Sequence, residues 1–212
     1  MYKKLIVDSG RRMLNSGLTV ETWGNISAID RESGLVYLTP SAMSYDSICE
    51  DDIVAAKLDG TIAEGRRKPT IEFALHLGIY RARPEINAVV HTHPIHSLVF
   101  AVLREPIPAI IDEAAQILGG EVRCARYELP GTPELAAACV EALGKDAYAC
   151  LLANHGAVSV GANMNAAFRA AKVLEMTAQI YAQARVMGKP CFLKQKDIDY
   201  MHDFAYHKYG QQ

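Results

Sequence analysis

The stretch Asn87-Ala-Val-Val-His-Thr-His-Pro-Ile-His-Ser97 combines a short apolar run with three histidines. Its β-branched residues predict a strand, and Pro94 predicts where that strand ends. Alternate side chains leave a strand on the same face, about 6.5–7 Å apart, so His91 and His93 share a face. Two imidazoles at that spacing can hold one metal ion at about 2.0–2.1 Å each. The alternative is a structural role, in which the two histidines cap a buried strand.

A metal site needs at least a third ligand, and His155 is the strongest candidate. Asn154-His155-Gly156 directly follows a predicted buried strand, Tyr148 to Leu152. The ends of two strands in one sheet can therefore bring the three histidines together without long loops. Three imidazoles with an open position are typical of a catalytic zinc site, whereas structural sites are usually closed by thiolates. The alternative for His155 is a turn histidine that bonds to the backbone.

Such a site also needs a general base, and Glu72 is the carboxylate that we favour. Pro69-Thr70-Ile71-Glu72 predicts the start of a helix that runs to about Arg83. In this interpretation Thr70 is the N-cap and Glu72 lies in the first turn, near the positive end of the helix dipole. A helix start beside a hydroxyl group is a suitable wall for a cleft. The alternative is that Glu72 interacts only with the dipole.

Three turns that carry hydroxyl groups form a second set of candidates. They are Gly24-Asn25-Ile26-Ser27, Thr39-Pro40-Ser41 and Pro69-Thr70. Hydroxyl groups, an amide side chain and free backbone N–H groups can hold a phosphate without strongly basic residues. Each turn is also common in proteins, and the sequence does not by itself show that they converge.

The composition indicates a globular protein and excludes several classes of partner. The chain has 212 residues, half of them hydrophobic, which is enough for one sizeable domain. A net charge of −2 and a pI near 6.4 favour neither a nucleic-acid nor a membrane partner. The five cysteines have no C-x-x-C spacing, and neither a signal peptide nor a bilayer-spanning run is found. We therefore expect reduced thiols and a cytoplasmic protein.

The predicted elements alternate between strands and helices along the whole chain. Hairpins are predicted across Arg31–Gly34 and at Asp59-Gly60, the latter as a type I′ turn. Long helices are predicted at Tyr2 to Ser16, Asn163 to Met187 and Gln195 to Lys208. We expect residues 1–212 to form a single α/β/α domain. Its central sheet should be mixed but mainly antiparallel, with helices on both faces.

Taken together, these motifs resemble the class II aldolase/adducin family over nearly the whole chain. The motifs that carry the resemblance are Gly24-Asn25-Ile26-Ser27, Thr39-Pro40-Ser41, Glu72, His91-Thr92-His93 and Asn154-His155-Gly156. The resemblance implies a zinc-dependent class II aldolase that reversibly cleaves a ketose 1-phosphate to dihydroxyacetone phosphate and a short aldehyde. The reaction would pass through a metal-stabilised enediolate. Deoxy-ketose 1-phosphates, such as those of L-fuculose and 5-deoxyribulose, are the expected substrates.

The resemblance also implies a set of site residues. Zn²⁺ would be held by His91, His93 and His155, with Mn²⁺ or Co²⁺ as substitutes. Glu72 would be a fourth ligand that substrate displaces, and it would then act as the acid and base. Family members form homotetramers with active sites at subunit interfaces, where Tyr209 would contribute. The residues implied at the phosphate are Gly24, Asn25, Ser27, Ser41, Ala42, Thr70 and Ile71.

The chain departs from the pattern of the family's aldolases at three places. Ile71 occupies the position of a serine that would assist with phosphate binding in those aldolases, and Ala42 occupies a position where they usually have glycine. At the position of the catalytic tyrosine of the family's aldolases, this chain has Asp112 or Glu113, depending on which neighbouring residues are aligned. A carboxyl group can replace a phenol as proton donor, although its pKa and reach differ. A solvated acidic turn is the alternative for these two residues.

Two other functions stay open at this point. A sugar-phosphate 4-epimerase or a sugar-acid phosphate decarboxylase could use the same metal site, and Asp112 is compatible with the epimerase. A non-catalytic binding domain like that of adducin is less favoured. Relatives of that kind lose the metal ligands, whereas His91, His93, His155 and Glu72 are all present here.

Overall fold

The computed structural model describes residues 1–208, which are built around one eight-stranded sheet. The strands are β1 (Asn25–Asp30), β2 (Leu35–Leu38), β3 (Val54–Lys57), β4 (Ile62–Glu64), β5 (Ala88–Thr92), β6 (Cys124–Ala125), β7 (Ala149–Leu152) and β8 (Gly156–Gly161). Their order across the sheet is β4-β3-β2-β1-β5-β8-β7-β6. Every pair is antiparallel except β6 with β7. The mixed, mainly antiparallel sheet is confirmed.

Seven α-helices in the described residues cover both faces of this sheet. They are α1 (Tyr2–Asn15), α2 (Phe73–Ala82), α3 (Ile95–Leu103), α4 (Asp112–Leu118), α5 (Pro133–Leu143), α6 (Met164–Met187) and α7 (Gln195–His207). Helices α2 and α5 pack on one face. Helices α1, α3, α4, α6 and α7 cover the other. The α/β/α arrangement with helices on both faces is therefore confirmed.

Strand β5 lies at the centre of the sheet and is buried along its whole length. Val89 packs towards α2 and α5, whereas Ala88 and Val90 pack towards α1 and α6. A strand covered on both faces has no polar face, which explains why this segment is a continuous apolar run. The histidines at its end are consequently attached to one of the most rigid parts of the molecule.

The two predicted hairpins are present, but one turn type was wrong. Strands β1 and β2 pair across Arg31–Gly34, and β1 begins at Asn25, within the predicted turn Gly24-Asn25-Ile26-Ser27. At Asp59-Gly60 only the glycine has a positive φ, of 95°, whereas a type I′ turn needs two such residues. The Gly60 N–H bonds the Lys57 carbonyl oxygen at 3.0 Å, so the turn closes one residue earlier than expected.

One prediction about a helix start was also wrong. Helix α2 begins at Phe73, so Thr70 is not its N-cap; that position is occupied by Glu72, whose side chain makes no capping bond. The reason is that the Glu72 carboxylate is engaged elsewhere, as described below. Residues 112–118 form α4, whose short apolar face is buried by Ala114 and Leu118, so the acidic turn that was the alternative for Asp112 and Glu113 is not present. By contrast, the Thr132 side chain caps α5 by accepting a hydrogen bond from the Leu135 N–H.

All five cysteines lie in the described part of the chain and are free thiols. Two of them, Cys139 and Cys150, are buried with their sulfur atoms 3.6 Å apart. Within residues 1–208, no helix combines the length and apolar character needed to cross a bilayer.

Candidate metal centre

Three imidazoles meet at one end of the central strands. His91 belongs to β5, His93 follows it directly, and His155 lies in the turn between β7 and β8. Because β5 pairs with β8, with His91 opposite Val158, the two chain segments are neighbours. The ligand atoms of the three histidines lie within 4.8 Å of one another, and His91 Nε2 is 3.1 Å from His93 Nε2. The structure thus brings the three together as the strand-end argument predicted.

Two glycines allow the backbone to close around His91. A Cβ atom on Gly156 would lie 2.5 Å from the Thr92 carbonyl oxygen and 3.1 Å from His91 Cε1. A Cβ atom on Gly24, whose φ is +73°, would lie 2.5 Å from the His91 carbonyl oxygen. The two Cβ–oxygen distances of 2.5 Å are shorter than a carbon–oxygen contact permits. The glycines of the two motifs are therefore required by close packing at the site.

The turn that carries His155 is held by the residue before it. Asn154 adopts the left-handed conformation, with a φ of 55°, which asparagine tolerates better than most residues. Its Oδ1 accepts hydrogen bonds from Arg104 at 3.1 and 3.2 Å, and its backbone N–H bonds the Ala101 carbonyl oxygen at 3.0 Å. Helix α3 therefore fixes the position of His155.

The environment keeps the imidazoles neutral. Burial and the neighbouring imidazoles lower the pKa of His91 well below its ordinary value and that of His93 to about 4. Burial also lowers the pKa of His155. His91 Nδ1 donates to the Ala157 carbonyl oxygen at 3.0 Å, which leaves the lone pair on Nε2. A neutral imidazole with one nitrogen fixed by a carbonyl and the other free is the usual form of a metal ligand.

Glu72 supplies a carboxylate beside this cluster. Its Oε1 lies 3.6 Å from His155 Nε2, and its Oε2 accepts a hydrogen bond from Asn25 Nδ2 at 2.5 Å. Burial raises the pKa of Glu72, and the hydrogen bond from Asn25 opposes that effect. Three imidazole nitrogens and one carboxylate oxygen are donors that Zn²⁺ and related divalent ions take. The residues present therefore fit a divalent metal ion.

A cavity of about 450 Å³ opens in front of His93, His155 and Glu72. The three predicted turns converge on it, which the sequence did not show. Backbone hydrogen bonds join two of the turns: the Ser41 N–H bonds the Lys68 carbonyl oxygen and the Thr70 N–H bonds the Thr39 carbonyl oxygen. The predicted residues that line this cavity are Gly24, Asn25, Ser41, Ala42, Thr70 and Ile71.

Two residues of these turns depart from the family pattern, Ala42 and Ile71, and the structure describes the backbone of the first and the exposure of the second. Ala42 has a φ of 54°, in the region that favours glycine, which agrees with its standing at a position where glycine is usual. Ile71 is 60% exposed at the cavity, so its side chain is an apolar group at the edge of the site.

Ser27 is the exception among the predicted phosphate residues. It is fully buried, and its hydroxyl lies 2.6 Å from His76 Nδ1 and 2.8 Å from the Tyr80 hydroxyl. Ser27 follows Asn25 by two positions in β1, so both face α2, but Ser27 lies one pleat further from the cavity. Its hydroxyl does not reach the cavity, and direct contact with a phosphate there is not possible.

The predicted proton donors are placed differently. Asp112 and Glu113 occupy the first turn of α4 and are both exposed. Neither lines the cavity in front of the histidines. Tyr209 lies outside the described residues. The described chain thus assembles the metal ligands and Glu72, but not these acidic groups.

Sequence reasoning missed Trp23 and Glu175. The Trp23 ring lies nearly parallel to the His93 ring, with 6.2 Å between centroids, and it lines the cavity. Its position in the Gly24 motif and its being the single tryptophan were signals that could have found it. Glu175, by contrast, reaches α3 from α6, far along the chain, and no local pattern marks it.

Glu175 caps the helix that follows the metal ligands. Its carboxylate accepts hydrogen bonds from the backbone N–H groups of His96 and Ser97, both at 2.9 Å. It also contacts His96 Nδ1 and the Ser97 hydroxyl, both at 2.8 Å. A carboxylate at a helix N-terminus satisfies free N–H groups and interacts favourably with the dipole. It therefore holds the chain immediately after His93.

Comparison with known proteins shows similarity over most of the chain. The family model described as "Class II Aldolase and Adducin N-terminal domain" matches residues 4–182. A 5-deoxy-D-ribulose 1-phosphate aldolase from Bacillus thuringiensis serovar kurstaki is 42% identical over 207 residues, 98% of this chain and 96% of that protein. An L-ribulose-5-phosphate 4-epimerase from Salmonella paratyphi B is 34% identical over 86% of this chain and 85% of that protein.

A solved structure described as an L-fuculose 1-phosphate aldolase has the same fold. It superposes with a TM-score of 0.92 at 36% identity and covers 95% of this chain and 94% of its own. The similarity therefore extends over almost the whole chain.

Proposed function

The chain belongs to the class II aldolase and adducin family, and we propose that it is a metal-dependent aldolase acting on a ketose 1-phosphate. The products would be dihydroxyacetone phosphate and a short aldehyde. The observation that carries the proposal is the cluster of three neutral imidazoles with the Glu72 carboxylate 3.6 Å from His155, facing a cavity where the polar turns converge.

We propose a deoxy-ketose 1-phosphate as the substrate. The relative that is 42% identical is a 5-deoxy-D-ribulose 1-phosphate aldolase, and the solved structure with a TM-score of 0.92 is an L-fuculose 1-phosphate aldolase. Both names describe a phosphorylated ketose that lacks a hydroxyl group. The exposed Ile71 beside the cavity offers an apolar contact that suits such a substrate.

His91, His93 and His155 would hold the metal ion, and we propose Zn²⁺, with Mn²⁺ or Co²⁺ as substitutes. A divalent ion bound there supplies a Lewis acid that polarises the carbonyl and hydroxyl oxygens of the substrate. The three residues contribute neutral nitrogen donors that the sheet holds in place. Ser41, Ala42 and Thr70, on two joined turns, would bind the phosphate group.

Glu72 is proposed to move the proton at the carbon next to the carbonyl. In cleavage, the C4 hydroxyl loses its proton, the C3–C4 bond breaks, and C3 of the dihydroxyacetone phosphate portion takes a proton. In synthesis the same proton leaves C3. Burial raises the pKa of Glu72, which makes its protonated form easier to reach and suits a group that must both give and take a proton.

The proton on the C4 oxygen requires a second group. We propose Asp112 or Glu113, together with Tyr209, as contributions from a neighbouring subunit of a homotetramer. This is supported by the exposure of the two acidic residues at the start of α4 and by their absence from the cavity lining of their own chain. An active site at a subunit interface would complete the arrangement.

A sugar-phosphate 4-epimerase is the second candidate. It is favoured by the epimerase relative at 34% identity and by the acidic residue Asp112. Both reactions would use the same metal ligands. Their products differ: the aldolase yields two fragments, whereas the epimerase yields one sugar phosphate with an inverted C4 centre.

The test is a screen of five- and six-carbon ketose 1-phosphates with enzyme loaded with Zn²⁺, Mn²⁺ or Co²⁺. Products are followed by NMR, and dihydroxyacetone phosphate is the expected fragment. An inverted C4 centre without fragmentation would favour the epimerase, and released CO₂ would favour a decarboxylase. Absence of dihydroxyacetone phosphate with every substrate and metal would reject the aldolase.

A further inference from the structure

A line of buried polar side chains leads from Glu72 away from the cavity, between β1 and α2. Asn25 contacts Glu72 at 2.5 Å and His76 Nε2 at 2.6 Å through its two amide atoms. His76 Nδ1 contacts the Ser27 hydroxyl at 2.6 Å, which contacts the Tyr80 hydroxyl at 2.8 Å. All five side chains are at most 4% exposed. The core of the protein thus holds a continuous hydrogen-bonded chain that ends on the catalytic carboxylate.

The direction of these hydrogen bonds follows from the Glu72 end. A carboxylate oxygen accepts, so the Asn25 NH₂ group faces Glu72 and the Asn25 Oδ1 accepts from His76 Nε2. Because burial lowers the pKa of His76, the ring is neutral, so its Nδ1 accepts from the Ser27 hydroxyl, which in turn accepts from the Tyr80 phenol. Each group accepts one hydrogen bond and donates the next.

His76 has a single ring proton to place. Its imidazole is fully buried, and burial lowers its pKa to about 3, so it is neutral at physiological pH. Since Nε2 donates to Asn25 Oδ1, that proton is on Nε2, and Nδ1 is left to accept from Ser27. The Asn25 amide keeps its NH₂ group towards Glu72. The reverse orientation would place an oxygen 2.5 Å from a carboxylate oxygen, which is repulsive.

We propose that His76 is a positioning residue for Glu72. Its Nε2 proton fixes the Asn25 amide, whose NH₂ group holds Glu72 Oε2 and leaves Oε1 directed to His155. The effect on turnover rests on the proposed aldolase function, whereas the position of the ring proton does not. No other residue of α2 is placed to replace this donor, because Asn25 faces the helix at His76.

Two substitutions distinguish the roles of the two ring nitrogens of His76. In His76→Gln the terminal amide reaches the position of Nε2 and can still donate to Asn25. In His76→Asn the shorter amide reaches only the position of Nδ1 and loses that contact. We expect His76→Asn to lower kcat about 10–100-fold with unchanged KM and metal content, and His76→Gln to recover most of the loss. Equal loss in both variants would mean that His76 only fills space.

A matched control removes a different buried hydrogen bond. The Thr177 hydroxyl is fully buried and bonds the Val173 carbonyl oxygen at 2.7 Å within α6. Thr177→Val should destabilise the protein without changing kcat. If it lowered kcat as much as His76→Asn, loss of stability would explain both effects and the proposal would fall.

The ring proton itself can be observed without turnover. In zinc-loaded protein with ¹⁵N-labelled histidine, the imidazole signal that is absent from His76→Gln and shifted in Ser27→Ala belongs to His76. We expect this signal to show a neutral ring protonated at Nε2 at pH 7. A proton on Nδ1, or a charged ring, would overturn the proposal. If the wild-type enzyme cleaves no ketose phosphate, the proposed function fails, and this spectrum still decides whether His76 orients Asn25.

Discussion

The two regions that the proposed reaction needs are built in opposite ways. The metal ligands and Glu72 are attached to the buried centre of the sheet and to the start of α2, and Glu72 is only 4% exposed. Asp112 and Glu113 are exposed on the first turn of α4, apart from the cavity. The metal ligands and Glu72 are assembled within the core of a single chain, whereas the acidic side chains of α4 lie on the protein surface.

This difference has a consequence for how each region tolerates change. The buried region depends on close contacts, such as those of Gly24 and Gly156 with the backbone around His91. The exposed region depends on whatever approaches α4, and its own packing changes little when a side chain is replaced. We therefore expect substitutions in the buried region to have the larger effects and to act through more than one property.

The largest effect is expected for Glu72→Gln, which removes the proposed base and keeps the shape of the side chain. The variant should fold and bind metal through the three histidines, while kcat falls about 10²–10⁴-fold. Turnover of a ketose 1-phosphate and metal analysis measure the two properties. Glu64→Gln, at an exposed carboxylate that pairs with Lys3, is the control and should leave both unchanged. Full activity in Glu72→Gln would remove this residue from the mechanism.

The exposed region is tested by Asp112→Asn and Glu113→Gln, made separately. We expect one of them to lower kcat about 10–100-fold, because the C4 oxygen needs one proton donor. Neither should change the melting temperature by more than about 1 °C, since both residues are solvated. Steady-state kinetics and thermal unfolding give the answer. Small and equal kinetic effects would place the donor on another residue.

A smaller effect is expected for Glu175→Gln at the start of α3. The amide can accept fewer of the hydrogen bonds from His96 and Ser97, so the chain after His93 should be held less firmly. Metal affinity should fall about tenfold, as is usual when a group that supports a ligand is lost. Competition with a chelator measures it. Glu105→Gln, which breaks an exposed ion pair with Arg185, is the matched control; equal losses of affinity in both variants would reject this role.

The smallest effect concerns the pH dependence of stability. Burial lowers the pKa of His76 to about 3, from an ordinary value of 6.5. As the pH falls between these values, the unfolded chain binds a proton that the native protein does not, so the free energy of unfolding decreases. His76→Gln lacks this contribution. Between pH 6 and pH 5 the wild type should lose about 1 kcal/mol more than the variant.

Urea unfolding at the two pH values measures this difference. Parallel pH dependences for the wild type and His76→Gln would show that the buried imidazole already binds a proton in the native protein. That result would also be incompatible with a single ring proton on His76.

Much of the buried region could be predicted because it depends on local patterns. The spacing of His91 and His93 in an apolar strand, and a histidine after a second strand, were enough to place three ligands at one sheet end. Glu72 was selected as the base from its place at a predicted helix start, and the resemblance to a known family added its role as a fourth ligand. Convergence of the polar turns was not predictable, since it depends on backbone bonds between segments such as Ser41 to Lys68.

Other features failed for physical reasons. Thr70 has the chemistry of an N-cap, but the chain enters α2 at Glu72, whose carboxylate is held by Asn25 instead. Ser27 carries a hydroxyl in a turn-like motif, but β1 begins two residues earlier and directs it to His76. In both cases the deciding contact joins side chains about 50 residues apart: Glu72 with Asn25, and Ser27 with His76.

The separation of these partners along the chain bears on how the molecule acquires its metal. Asn25, Glu72, His91 and His155 come together only when β1, α2, β5 and the β7–β8 turn are all in place. Such non-local contacts form late, because each requires the closure of a long loop. In small zinc domains the metal drives folding. Here the sheet must assemble first, so we expect a cell starved of metal to accumulate a folded, empty enzyme that can be loaded later.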